Sequence, residues 1–85
     1  MRHAGSQALD RLESLLSRVR RLSGLRETTR GVFYAKGRAV LHFHEDAAGL
    51  FADVRPPGGA DFERIKVDDD TGQTALLARL GDLGV

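Results

Sequence analysis

The sequence predicts an α+β fold: an N-terminal helix, a four-stranded antiparallel meander and a C-terminal helix, with both helices on one face of the sheet. Three observations carry this expectation. Leu9, Leu12, Leu15, Leu16, Val19 and Leu22 recur at spacings of three and four, the period of a helix with one apolar stripe. From Gly31 to Arg55 the period drops to two, in segments separated by glycine-bearing turns. Ala75, Leu76, Leu77 and Leu80 then return to helical spacing.

Each element has a local cause. Residues 1–5 precede any periodic pattern and are expected to be disordered. Ser6 is the natural N-cap of the first helix, and Ser23-Gly24-Leu25 ends it. Gly24 is expected in the left-handed conformation there, with Arg18, Arg20 and Arg21 placed where the helix macrodipole favours positive charge. Val32-Phe33-Tyr34 forms the first strand, Lys36-Gly37 a two-residue hairpin turn, and Arg38 to Glu45 the second strand. Asp46-Ala47-Ala48-Gly49 is the next turn and Leu50 to Arg55 the third strand. Pro56-Pro57-Gly58-Gly59 breaks regular structure, and Phe62 to Val67 is the fourth strand. Asp70 followed by Gln73 resembles a capping box that opens the last helix.

The turns set the registers. A hairpin closed by Lys36-Gly37 places Tyr34 opposite Ala39 and Val32 opposite Leu41. A turn at 46–49 places Leu41 opposite Val54 and Phe43 opposite Ala52. The aliphatic residues then share the face that receives the helices. The opposite, open face receives Phe33, Val40, His42, His44, Phe51, Asp53 and Arg55, joined by Phe62, Arg64 and Lys66 if the fourth strand is in phase.

Composition bounds the function. A chain of 85 residues has room for one domain, spanning 1–85, with one modest core. It has no cysteine, which excludes disulfides, thiolate metal ligands and a cysteine nucleophile. Met1 to Leu9 lacks the apolar segment of a signal peptide, and no run is long enough to span a bilayer, so a cytoplasmic chain without membrane contact is expected. The net charge of +1 gives no global attraction to nucleic acid. The charges are nevertheless sorted, with Arg11, Arg18, Arg20, Arg21, Arg26 and Arg30 in the first third and Asp68-Asp69-Asp70 near the other end. The aspartate run lacks the spacing of a calcium loop and is explained by a helix N-terminus. Arg11, Arg18 and Arg21 lie near one flank of the first helix and read as a solvated face.

His42 and His44, two apart on a strand, point the same way, and the register puts Asp53 across from His42. Two imidazoles and a carboxylate are a ligand set that zinc, iron or manganese accepts, so His42, His44 and Asp53 are the candidate metal residues. The bland alternative is a half-exposed cross-strand His–Asp pair. No nucleophile stands near it, since Ser6, Ser14, Ser17 and Ser23 belong to the first helix or its ends. No catalytic residue and no cofactor are therefore assigned. Phe33, Phe51 and Phe62, interleaved with Arg55, Arg64 and Lys66, suit either base stacking with phosphate contact or burial against a second copy or another protein.

The segments Gly31 to Tyr34, Arg38 to Asp46 and Gly49 to Arg55 resemble short hypothetical proteins of high-GC bacteria, a likeness that implies no function. The layout, with Gly37 to Asp46 ahead of a strand and a terminal helix, is similar to the YjbR-like double-wing family, and that resemblance implies DNA binding. A frataxin-like layout would carry an acidic first helix where this one is basic. The expected function is a small, non-enzymatic binding or assembly module. Its open sheet face of Phe33, His42, His44, Phe51, Asp53, Arg55 and Arg64 would contact a twin subunit or a protein partner, with nucleic acid or a divalent metal as alternatives.

Overall fold

The computed structural model describes residues 2–85 and shows an α+β domain with a six-stranded antiparallel sheet and three helices. The elements in order are β1 (Arg2–His3), α1 (Ser6–Arg11), α2 (Glu13–Val19), β2 (Arg26–Thr29), β3 (Val32–Ala35), β4 (Arg38–Asp46), β5 (Gly49–Val54), β6 (Glu63–Lys66) and α3 (Asp70–Asp82). The sheet order is β2-β3-β4-β5-β6. β1 pairs with β4 through Arg2 and Glu45 and through His3 and His44. One edge of β4 therefore belongs to β5, while the other is shared between β3 and β1. Among the described residues, no helix is long and apolar enough to cross a membrane.

The expected four strands become six because two polar segments pair with the sheet. Arg2–His3 is a strand where disorder was expected, although Met1 lies outside the described residues. Arg26–Thr29 carries no apolar alternation, yet pairs with β3 as an exposed edge strand. The single N-terminal helix is two segments meeting at Leu12, whose ψ of 4° opens the turn while Leu16 N still donates to its carbonyl at 2.9 Å. Gly5, not Ser6, is the N-cap of α1. α2 stops at Val19 because the chain tightens into turns in which Arg21 N bonds Arg18 O (3.2 Å) and Leu22 N bonds Val19 O (3.0 Å). Gly24 does not take a left-handed conformation. It is instead a point of close approach, where an added Cβ would stand 2.8 Å from Val85 Cα. At α3 the cap is Asp69, which accepts from Gly72 N at 2.9 Å, one residue before the expected Asp70.

Two turns hold the register. Lys36 (φ 53°) and Gly37 (φ 79°) give the left-handed pair that a two-residue hairpin needs, and Tyr34 pairs with Ala39 as expected. The turn ending in Gly49 pairs Leu41 with Val54 and Phe43 with Ala52, also as expected. Leu12, Leu15, Leu16 and Val19 from the first helices, Leu76 and Leu80 from α3, and Phe33, Leu41, Phe43, Leu50, Ala52 and Val54 from the sheet form one buried cluster.

Phe33 is a correction. A bulge between Phe33 and Tyr34 sets Phe33, rather than Val32, opposite Leu41, and so turns its ring into the helix-side core, where it is 1% exposed. It does not belong to the open face. The basic first helix is also less open than its composition implied. Arg20 binds Glu13 (2.6 Å) and Glu27 (2.6 Å), and Arg30 binds Asp10 (2.8 Å) and Glu13 (2.8 Å), a network that ties both N-terminal helices to the β2–β3 hairpin.

Candidate metal centre

Alternation along β4 sends Leu41 and Phe43 into the core and His42 and His44 to the other face. The β4–β5 register sets Asp53 across from His42 and Phe51 across from His44. The β5–β6 register then sets Arg64 across from Asp53 and Lys66 across from Phe51, so the fourth predicted strand is in phase. His42, His44, Phe51, Asp53, Arg55 and Arg64 thus share the face that the sequence assigned to them.

That face is partly covered. Arg38 Nη1 donates to Pro57 O at 3.2 Å, and the Phe62 ring stands edge-on to His42 with centroids 4.7 Å apart, so the loop before β6 folds over one end of it. Arg55 donates through Nε to Ala39 O (2.8 Å) and lays its guanidinium 4.4 Å from the Phe62 ring centre. At the other end lies β1.

β1 supplies a residue that sequence reasoning missed. His3 pairs with His44, and its ring centroid lies 4.7 Å from that of His44 and 5.7 Å from that of His42. One potential ligand nitrogen from each of His3, His42 and His44 falls within 4.8 Å of the other two. The chain has three histidines, and all three meet here. No periodicity marks His3, because a two-residue strand is too short to show a pattern; the scarcity of histidine elsewhere was the available signal.

The electrostatics favour a neutral imidazole at His42. Burial, and after it the neighbouring His44, hold His42 below its ordinary pKa against the opposing pull of Asp53. His42 Nδ1 and His44 Nδ1 are buried without a hydrogen-bond partner. Asp53 Oδ2 does lie 2.9 Å from His44 Nδ1, so the two groups are adjacent without a formed hydrogen bond. A small rotation of the imidazole would align them, leaving Nε2 as the ligand atom in a carboxylate–histidine–metal arrangement.

Asp53 itself is committed to Arg64, which donates through Nε to Oδ1 (2.7 Å) and through Nη2 to Oδ2 (2.8 Å). These bonds hold the Asp53 carboxyl below the usual carboxylate range despite its burial. The third nitrogen-bearing partner of His42 and His44 is therefore His3, with Asp53 standing behind the ligands.

No protein-family model, curated protein or solved structure matches the chain.

The residues fit a borderline transition metal such as zinc. Three imidazoles are a common donor set for it, and the buried His42 Nδ1 without a partner is a nitrogen that such an ion would satisfy. Nitrogens bound at about 2.0–2.1 Å in a tetrahedral shell stand roughly 3.4 Å apart. The ligand nitrogens lie within 4.8 Å of one another, so binding would draw them together, and His3 is the exposed member of the three.

Proposed function

We propose that the protein is a small binding module that holds one divalent transition-metal ion, of the zinc class, through His3, His42 and His44. The observation that supports this reading is the convergence of the chain's three histidines from two strands far apart in sequence, with the buried His42 Nδ1 left without a partner. Three protein ligands leave a further coordination position for water or a second molecule. The test is calorimetric titration of the chain with Zn²⁺ at neutral pH, followed by NMR of the imidazole ring protons. One ion per chain, with shifts at all three histidines and loss of binding in His42→Ala, is the expected result. Unchanged ring resonances at equimolar zinc would end the reading.

Contact of the same face with a second copy or another protein is the second reading. It is favoured by Phe62, one of the two large apolar side chains exposed among the described residues, which lies beside His42. Here Phe51→Glu should abolish association while the helical circular dichroism persists. Nucleic-acid binding draws less support, because Arg55 and Arg64 are both engaged within the chain and offer less to phosphate. Affinity for single-stranded DNA that falls steeply with salt would restore it.

A further inference from the structure

His42 and His44 sit in a nine-residue strand paired with β5 throughout their stretch, so their positions are set by the body of the fold. His3 rides on two residues, both exposed. What fixes His3 over the site is therefore whatever fixes β1. Beyond its two ladder pairs, the segment is tied by Ala4 N to Phe43 O (3.0 Å) and by a single carboxylate, that of Glu45. Glu45 Oε2 accepts from Gly5 N at 2.7 Å, and Oε1 accepts from Arg2 Nη2 at 3.2 Å. One side chain thus grips the residues on both sides of His3. Arg2 is 79% exposed, so that ion pair contributes little, and the bond to the Gly5 amide is the stronger tie.

We propose that docking of β1 regulates metal occupancy, with Glu45 as the positioning residue that presents His3 to the ion. This rests on the trihistidine reading above. Glu45 follows His44 but does not join the ligand cluster; it acts through the backbone amide of Gly5, two residues beyond His3. The linkage is reciprocal. A metal that binds the three-ligand state better than the two-ligand state stabilises docked β1, and any change that undocks β1 lowers the apparent affinity by the fraction of docked molecules lost.

The test compares zinc affinity of the full chain with that of His3→Ala, Glu45→Ala, Glu45→Gln and the double variant, each checked for native circular dichroism. Loss of a group that orients a ligand typically costs about 10- to 100-fold in metal affinity, and Glu45→Ala is expected in that range. Glu45→Gln keeps an oxygen for the Gly5 amide and should recover most of the affinity. In the His3→Ala background, Glu45→Ala should have no further effect. Hydrogen exchange at the Ala4 amide should slow on adding zinc to the unmodified chain and not in His3→Ala. Gly5→Pro removes the donor and displaces the Glu45 carboxylate from it, and should weaken zinc binding as Glu45→Ala does, so the idea does not hang on one variant.

The outcomes separate. If the unmodified chain binds no zinc, the metal reading itself fails. If it binds zinc and His3→Ala weakens binding, but Glu45→Ala and Gly5→Pro leave affinity unchanged, the metal reading stands and the role of Glu45 is overturned. Equal additional loss from Glu45→Ala in the presence and absence of His3 also overturns it, since Glu45 would then act by another route.

Discussion

Arg64 closes over Asp53 across the β5–β6 pair with two parallel hydrogen bonds of 2.7 and 2.8 Å, so a carboxylate only 5% exposed is balanced by a guanidinium that still meets solvent. The two partners are not equivalent, and their removal should not be either.

Arg64→Ala leaves a buried charge without its partner, whereas Asp53→Ala leaves a cation that water can solvate. Urea unfolding should show Arg64→Ala the less stable of the two single variants, with Asp53→Ala affected by roughly half as much. The double variant should be no worse than Arg64→Ala alone. Equal losses in the two single variants would show that the asymmetry of burial has no energetic weight.

The same groups set the acid response. Asp53 has a lowered folded-state pKa, so its stabilising effect is complete above the ordinary carboxylate value of about 3.9 and is lost as the pH falls through the folded value. His42 also has a lowered folded-state pKa, so the unfolded chain takes up its proton first, from about pH 6.5 downward, and stability falls from there. The metal-free protein should therefore lose stability in two acid steps, measured as urea midpoints against pH. His42→Ala should flatten the upper step and Asp53→Asn should reduce the lower, to which Glu13, Glu27 and Glu45 also contribute. A constant midpoint between pH 7 and pH 5 would contradict the assignment to His42.

Phe33 and Phe51 offer a direct check of the β3 bulge. Phe33 lies in the core at 1% exposure, and its replacement by Ala should cost about 3–5 kcal/mol. Phe51 is only half-buried on the histidine face, and Phe51→Ala should cost under half of that. Equal thermal shifts for the two variants would place both rings in similar surroundings and so refute the bulge.

Gly49 and Gly37 separate backbone strain from crowding. Both have positive φ, 137° and 79°, but a Cβ at Gly37 meets open space, while one at Gly49 would run into the Asp68 carboxylate. That carboxylate accepts from Leu50 N at 2.5 Å, so moving it breaks a tie between the α3 approach and β5. Gly37→Ala should cost about 1 kcal/mol from strain alone, and Gly49→Ala at least about 2. Matching denaturation curves for the two would show that Asp68 yields without loss.

The parts of this fold legible in the sequence are those in which burial imposes a period. Leu12 to Val19 and Leu41 to Phe43 announce themselves because each contacts the core. The 46–49 turn then placed His42 across from Asp53, whereas Arg64 joined them only on the condition that the fourth strand was in phase. β2 was invisible because an edge strand reading Arg-Glu-Thr-Thr buries no apolar side chain and is held by ladder bonds and the ion pair of Glu27 with Arg20. Phe33 was misplaced because a bulge is one extra residue in the ladder, a change that leaves no mark in hydropathy but reverses the direction of a ring. His3 was missed for a third reason. Its position depends on the Glu45 carboxylate reaching a backbone amide 40 residues away, a tertiary contact to which no local pattern points.

β4 carries core and candidate site on alternate residues, and this places both under one constraint. A slip of this strand by one position would carry Phe43 into the company of Asp53 and Arg64 and drive His42 and His44 beneath the helices, exchanging the two environments at once. Nothing intermediate exists, so the site cannot drift gradually while the fold stays intact. Selection for a well-packed interior would then preserve the geometry of the histidines as a by-product, and the tight turn at Asp46–Gly49 guards the chemistry of this protein as much as its stability.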